Sequence, residues 1–195
     1  MHIFKLFSIV LIAISCQGNT EQTARVGLEA VAEETVSEKY PEGMTVETRF
    51  SPPDGYSRKS CDAGSFGKYL RNLKLLPDGS PVELYNGTVL SSQKHSAVLA
   101  MDIGKRDLQQ CADAIMRIRA EYLFHRKEYD KIAFHFVNGF NAEYARWAKG
   151  ERIGINGNKA YWYGNKPEDY SYSTFRDYLI MVYSFAGTAS LEKEL

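Results

Sequence analysis

From Asp107 to Arg126 the chain reads DLQQCADAIMRIRAEYLFHR, in which Leu108, Cys111, Ile115, Ile118 and Tyr122 recur at steps of three and four. The spacing predicts an amphipathic helix of about five turns. Ala112 and Leu123 widen this apolar stripe, which is expected in the core. Gln110, Asp113, Arg117 and Glu121 form one polar stripe on another face. Asp107 offers a capping oxygen, and the charges at 113, 117 and 121 alternate acid, base, acid at four-residue steps. The stretch from His95 to Ile103 upstream (HSAVLAMDI) and that from Lys131 to Val137 downstream (KIAFHFV) carry strand-type residues. Strand, long helix, strand is the pattern of a right-handed crossover.

The same reading places weaker elements on either side. Ser65 can cap a short helix carrying Phe66, Tyr69, Leu70 and Leu73 on one face. Val82 to Leu90, with Asn86-Gly87 at its centre, predicts a hairpin with a type I′ turn, and Arg152 to Tyr163 a second around Asn156-Gly157-Asn158. Asn141 is expected to cap a helix stopped by Gly150, and Ser171 or Ser173 one carrying Phe175, Tyr178, Leu179 and Val182 up to Gly187. Together these give an α+β fold: a single domain over 49–195, with a mixed β-sheet of about five or six strands and the central and C-terminal helices packed on it.

Composition alters this picture only at the N-terminus. Lys plus Arg balance Asp plus Glu at 24 each in 195 residues, so net charge calls for no nucleic-acid partner. Residues 1–15 carry Lys5 and then an apolar run too short to span a bilayer of about 30 Å, the pattern of a secretion signal. Ala13-Ile14-Ser15-Cys16 resembles a bacterial lipobox, with Cys16 as the acylated residue. Residues 16–48 are polar and nearly free of aromatics, and from Gln17 to Thr48 seven residues are acidic and two basic, which predicts a flexible linker. The expected address is the cell envelope, with the body tethered by lipid to a bacterial membrane, the outer membrane.

The strings SFGKYLRNL (65–73), DIGKRDLQQCADAIMRIRAEYL (102–123), NGF (138–140) and AGTASLEKEL (186–195) resemble an uncharacterised family of bacterial envelope lipoproteins, domain of unknown function 4846. The resemblance covers nearly everything after the linker. It implies the envelope address and no activity, so it carries over no catalytic residue.

Candidate chemistry is sparse. Cys111 is a nucleophile candidate near a helix start, although its place on the apolar stripe assigns it a packing role as a buried thiol. Cys61 offers it a disulfide partner in an oxidising compartment. If Leu99, Met101 and Ile103 face the helix, Asp102 turns to the other side of the sheet, the side that His135 also takes, and a carboxylate can orient an imidazole there. No histidine or cysteine pair has the spacing of a metal site, and no cofactor motif is present. In Ala160-Tyr161-Trp162-Tyr163 the tyrosines share one strand face and Trp162 takes the other, and Trp147 adds to this aromatic region. Two functions fit. One is an envelope protein that binds a cell-wall or glycan ligand through Trp147, Tyr161, Trp162 and Tyr163. The alternative is a peptidoglycan or glycan hydrolase using His135 with Asp102, or Cys111 as nucleophile. The sequence does not decide whether the protein is an enzyme.

Overall fold

A computed structural model describes residues 42–192. The expected leader, the lipidation residue Cys16 and most of the expected linker lie outside the described residues. The fold is α+β, and the described residues divide into two compact units, one of residues 42–82 and 90–101, the other of 83–89 and 102–192. None of the described helices is long and apolar enough to cross a membrane.

The first unit holds helices α1 (Val46–Arg49) and α2 (Phe66–Arg71) and the bridges Thr45 to Lys74 and Leu75 to Leu99. Ser65 caps α2 as its sequence predicts, accepting from the Lys68 N–H at 3.2 Å. Arg49 is fully buried, and its guanidinium donates to the carbonyls of Gly43 and Leu76 and to Asp78 at 3.3 Å. The stretch from His95 to Ile103 runs beside Lys74 to Leu76, with the Leu76 N–H donating to Val98 O and the Ala100 N–H to Lys74 O, each at 2.8 Å, but it makes a single bridge, at Leu99, and forms no strand. Without it the crossover is not made.

The second unit contains α3 (Cys111–His125), strands β1 (Ala133–His135) and β2 (Asn141–Glu143), α4 (Tyr144–Ala148), β3 (Arg152–Asn156), β4 (Lys159–Tyr163), α5 (Tyr172–Phe185) and α6 (Thr188–Leu191). In place of one mixed sheet there are two antiparallel pairs, β1 with β2 and β3 with β4. Asn141 therefore begins a strand, opposite His135, and the helix expected there starts three residues later. Gly150 ends that region with φ +105, and a Cβ on it would strike the Lys166 backbone. In the segment 83–89, Gly87 donates to Leu84 O and Leu84 to Thr88 O, each at 2.9 Å. Gly87 is left-handed (φ 80) and Asn86 is not, so the turn is a three-residue loop rather than type I′.

Helix α3 forms where its periodicity predicts, but presents a different face to the core. Ala112, Met116, Ala120 and Leu123 are buried, together with Asp113, Arg117 and Glu121, whereas Ile115 is 57% exposed and Cys111 is exposed. The true interface is turned by about one residue, roughly 100°. The reason is chemical: the polar stripe neutralises itself and finds partners from other elements. Arg117 Nε meets Glu121 Oε1 at 3.0 Å, and Arg117 Nη1 donates to Asp102 O at 2.7 Å and Gln109 Oε1 at 2.8 Å. Tyr172 of α5 donates to Glu121 Oε1 at 2.6 Å. Gln110, not Asp107, is the cap, its N–H donating to Asp113 Oδ2 at 2.8 Å.

The core around this helix is aromatic. Phe124 stacks on Phe175 with centroids 4.3 Å apart, and Tyr144 and Tyr178, both fully buried, meet at 5.3 Å. Helix α5 follows its sequence reading, capped by Ser171 and burying Phe175, Tyr178, Leu179 and Val182.

Candidate functional site

Hairpin β3–β4 is built by strict alternation. Ile153 is buried and Trp162 half-buried, paired on one face, where Trp162 packs on Phe140 at 5.6 Å beneath the Arg146 guanidinium at 4.5 Å. Gly157, at φ 58, closes the two-residue turn between Asn156 and Lys159. The register then puts Arg152, Gly154 and Asn156 on the outer face beside Tyr163, Tyr161 and Lys159 respectively.

On that face Tyr161 is 49% and Tyr163 53% exposed, with ring centroids 6.1 Å apart and planes inclined by 51°. A Cβ added to Gly154 would lie 2.6 Å from Tyr161 Cζ, so the Tyr161 ring lies across the bare backbone of the opposite strand. One side of the ring is held against the hairpin and the other is open. At one end, Arg152 is fixed: its Nη1 donates to Trp147 O at 2.8 Å and Glu151 O at 2.7 Å, and its guanidinium sits 4.5 Å from the Trp147 ring centre. At the other, Lys159 makes no ion pair among the described residues. Glu151, the acid next to β3, is bound twice by Arg146, and this hydrogen bond first of all holds its carboxyl below the usual range. The arrangement can stack on a ring and attract an anion.

The other candidates fall elsewhere. Trp147 is buried at 6% exposure against Tyr178, so it supports the hairpin from below through Arg152 and offers no ligand surface. Cys111 and Cys61 are free thiols, so the disulfide that the sequence left open is not made, and Cys111, the first residue of α3, is exposed, which corrects its expected burial. The Asp102–His135 pairing presupposed a strand through Asp102, and none forms. Asp102 instead binds Arg176 Nη2 at 3.0 Å and the Gly104 N–H at 2.8 Å, while His135 is an exposed residue of β1. Among the described residues no three of His, Cys, Asp and Glu are grouped as a metal ion requires.

Two features escaped the sequence. Gly154 looks like any strand glycine until its register opposite Tyr161 is known. The Arg117–Glu121–Tyr172 cluster is the other: the polar stripe of α3 is visible in the sequence, but Tyr172 lies 51 positions beyond Glu121. Burial alone would lower the Arg117 pKa, but Tyr183 and Glu121 more than reverse this and raise it. Burial, then the bond to Glu121, raises that of Tyr172. These charges join α3, α5 and the loop from Asp102 to Gln109, which is a structural task.

The model of a family described as domain of unknown function 4846 matches residues 46–195. The chain belongs to this family. Within the DUF4846 match lie both the outer face of β3–β4 and the charged cluster of α3. No curated protein and no solved structure matches the chain.

Proposed function

We propose that this DUF4846 protein is an envelope protein, lipid-anchored through Cys16 to the bacterial outer membrane, that binds a cell-wall or other glycan ligand on the outer face of β3–β4. The observation that carries the reading is the pair Tyr161 and Tyr163, two half-exposed rings side by side on one hairpin face with Gly154 clearing the backbone beneath the first. Such a surface suits the flat apolar side of a sugar ring, and exposed aromatics with a polar tip belong at interfaces. An open face also suits a polymer better than a small molecule. The cleft on the opposite side of the hairpin, lined by Phe136, Asn138, Ile155 and Phe185, holds only about 80 Å³, against roughly 300–1,000 Å³ for a small-molecule pocket. The anchor is supported by the lipobox-like Ala13-Ile14-Ser15-Cys16 behind a short apolar run.

Co-sedimentation of the full chain with purified sacculi tests the binding half. Tyr161→Ala is expected to weaken it about tenfold, the scale of one lost aromatic contact. Gly154→Ala should do much the same with little change in stability, because its Cβ meets only the movable far end of the Tyr161 ring. Undiminished binding in both variants rejects the platform, and release of soluble fragments replaces binding with hydrolysis. Labelling with a palmitate analogue tests the anchor: a Cys16→Ala chain that still takes up label rejects it.

A further inference from the structure

We infer that the ligand of this face is a negatively charged glycan, one bearing carboxylate or phosphate groups along its sugars; the inference rests on the glycan-binding reading above. The outer face consists of Arg152, Gly154 and Asn156 on β3 and Lys159, Tyr161 and Tyr163 on β4. It holds two cations and no carboxylate. Two acids close to Arg152 are engaged elsewhere. Glu151 is bound by Arg146 at 2.8 and 2.5 Å, and Asp169, which feels the charge of Arg152, accepts from Thr174 Oγ1, from Ser171 Oγ at 3.0 Å and from the Ser171 N–H at 2.8 Å.

Lys159 and Tyr163 bound β4, so the cationic end and the second ring are about 13 Å apart at roughly 3.3 Å per residue. Tyr161 lies between them, and Arg152 stands beside Tyr163. A saccharide lying along β4 thus meets Lys159 at one end, the Tyr161 ring in the middle and the Tyr163 ring at the other end, next to Arg152. The cations differ in role. Arg152 is pinned by two carbonyls and the Trp147 ring, whereas Lys159 is exposed without an ion pair among the described residues and can reorient toward an anionic substituent. A lysine at such a rim contributes charge attraction that salt screens, while ring stacking is largely indifferent to salt.

The test is calorimetric titration of the full chain at low and high salt with two probes of similar length, a hyaluronate hexasaccharide carrying carboxylates and neutral chitohexaose. Hyaluronate is expected to bind more tightly at low salt and to lose that advantage at high salt. Lys159→Gln should weaken hyaluronate about two- to fivefold, the range of an exposed charge pair, and leave chitohexaose unchanged. Tyr161→Ala should weaken both. Equal affinity for the two probes, or a Lys159→Gln effect that is absent or common to both, overturns the charge inference and keeps the glycan reading. Binding of the carboxylated probe only would still support the charge inference if Tyr161→Ala abolishes it. If neither probe binds, or if Tyr161→Ala changes nothing, both fail. Replacing hyaluronate with a phosphorylated oligosaccharide then tells a phosphate-bearing glycan from a carboxylate-bearing one.

Discussion

Cys111 and Met116 stand on the same helix in different surroundings, the first exposed and the second 1% exposed in the aromatic core. Substituting Ser for Cys111 is therefore expected to change stability by less than about 0.5 kcal/mol. Met116→Ala should cost about 2–5 kcal/mol through lost burial and a residual void. Urea unfolding reads both, and alkylation adds a check: native Cys111 should react nearly as fast as in the unfolded chain. Strong native protection would return it to the core. At this scale the sequence misled for a definite reason. Two apolar stripes overlap on α3, one through Ile115 and Ile118 and one through Met116 and Ala120, and periodicity ranks them only by size. What decides is whether Asp113, Arg117 and Glu121 find partners, and one of these, Tyr172, lies 51 positions beyond Glu121.

Among the elements, hairpin β3–β4 was legible because a local turn and a period of two suffice to define it, and α2 and α5 because their serine caps are local too. β2 was not, since Asn141 carries the same signal as a helix cap and becomes a strand only by pairing with His135. The joint between α3 and α5 is equally non-local, and its strength can be predicted. Arg117 and Glu121 side chains are 3% and 5% exposed. Removing one partner leaves an uncompensated buried charge, so Arg117→Met or Glu121→Met should each cost about 3–5 kcal/mol. The double variant Arg117→Met with Glu121→Met should cost clearly less than the sum of its single changes. A double-mutant cycle measures this coupling, and strict additivity would show that the two charges do not act as a pair.

For the molecule as a whole, the aromatic core predicts a response to alkali. Burial pushes the Tyr144 and Tyr183 hydroxyls well above their ordinary range, in Tyr183 against the opposing pull of Arg117 and Arg176. A pKa raised on folding means that the native state holds its proton more firmly than the unfolded chain. That stability is complete below the unfolded value of about 10 and falls as pH rises from there toward the native values, by about 1.4 kcal/mol per pH unit for each tyrosine. Denaturant midpoints measured from neutral to strongly alkaline pH should decline in this window, and Tyr183→Phe should flatten the decline. A midpoint unmoved by alkali would place these hydroxyls in water. The layout also fixes an order of assembly. Each hairpin joins strands that are neighbours in the chain, whereas Tyr172 reaches Glu121 across 51 positions. Short loops close at lower entropic cost than long ones. The hairpins are thus expected to form before α5 docks, so that Phe175→Leu accelerates unfolding and scarcely slows refolding in stopped-flow mixing; a slowed refolding limb would put the docking of α5 inside the rate-limiting step.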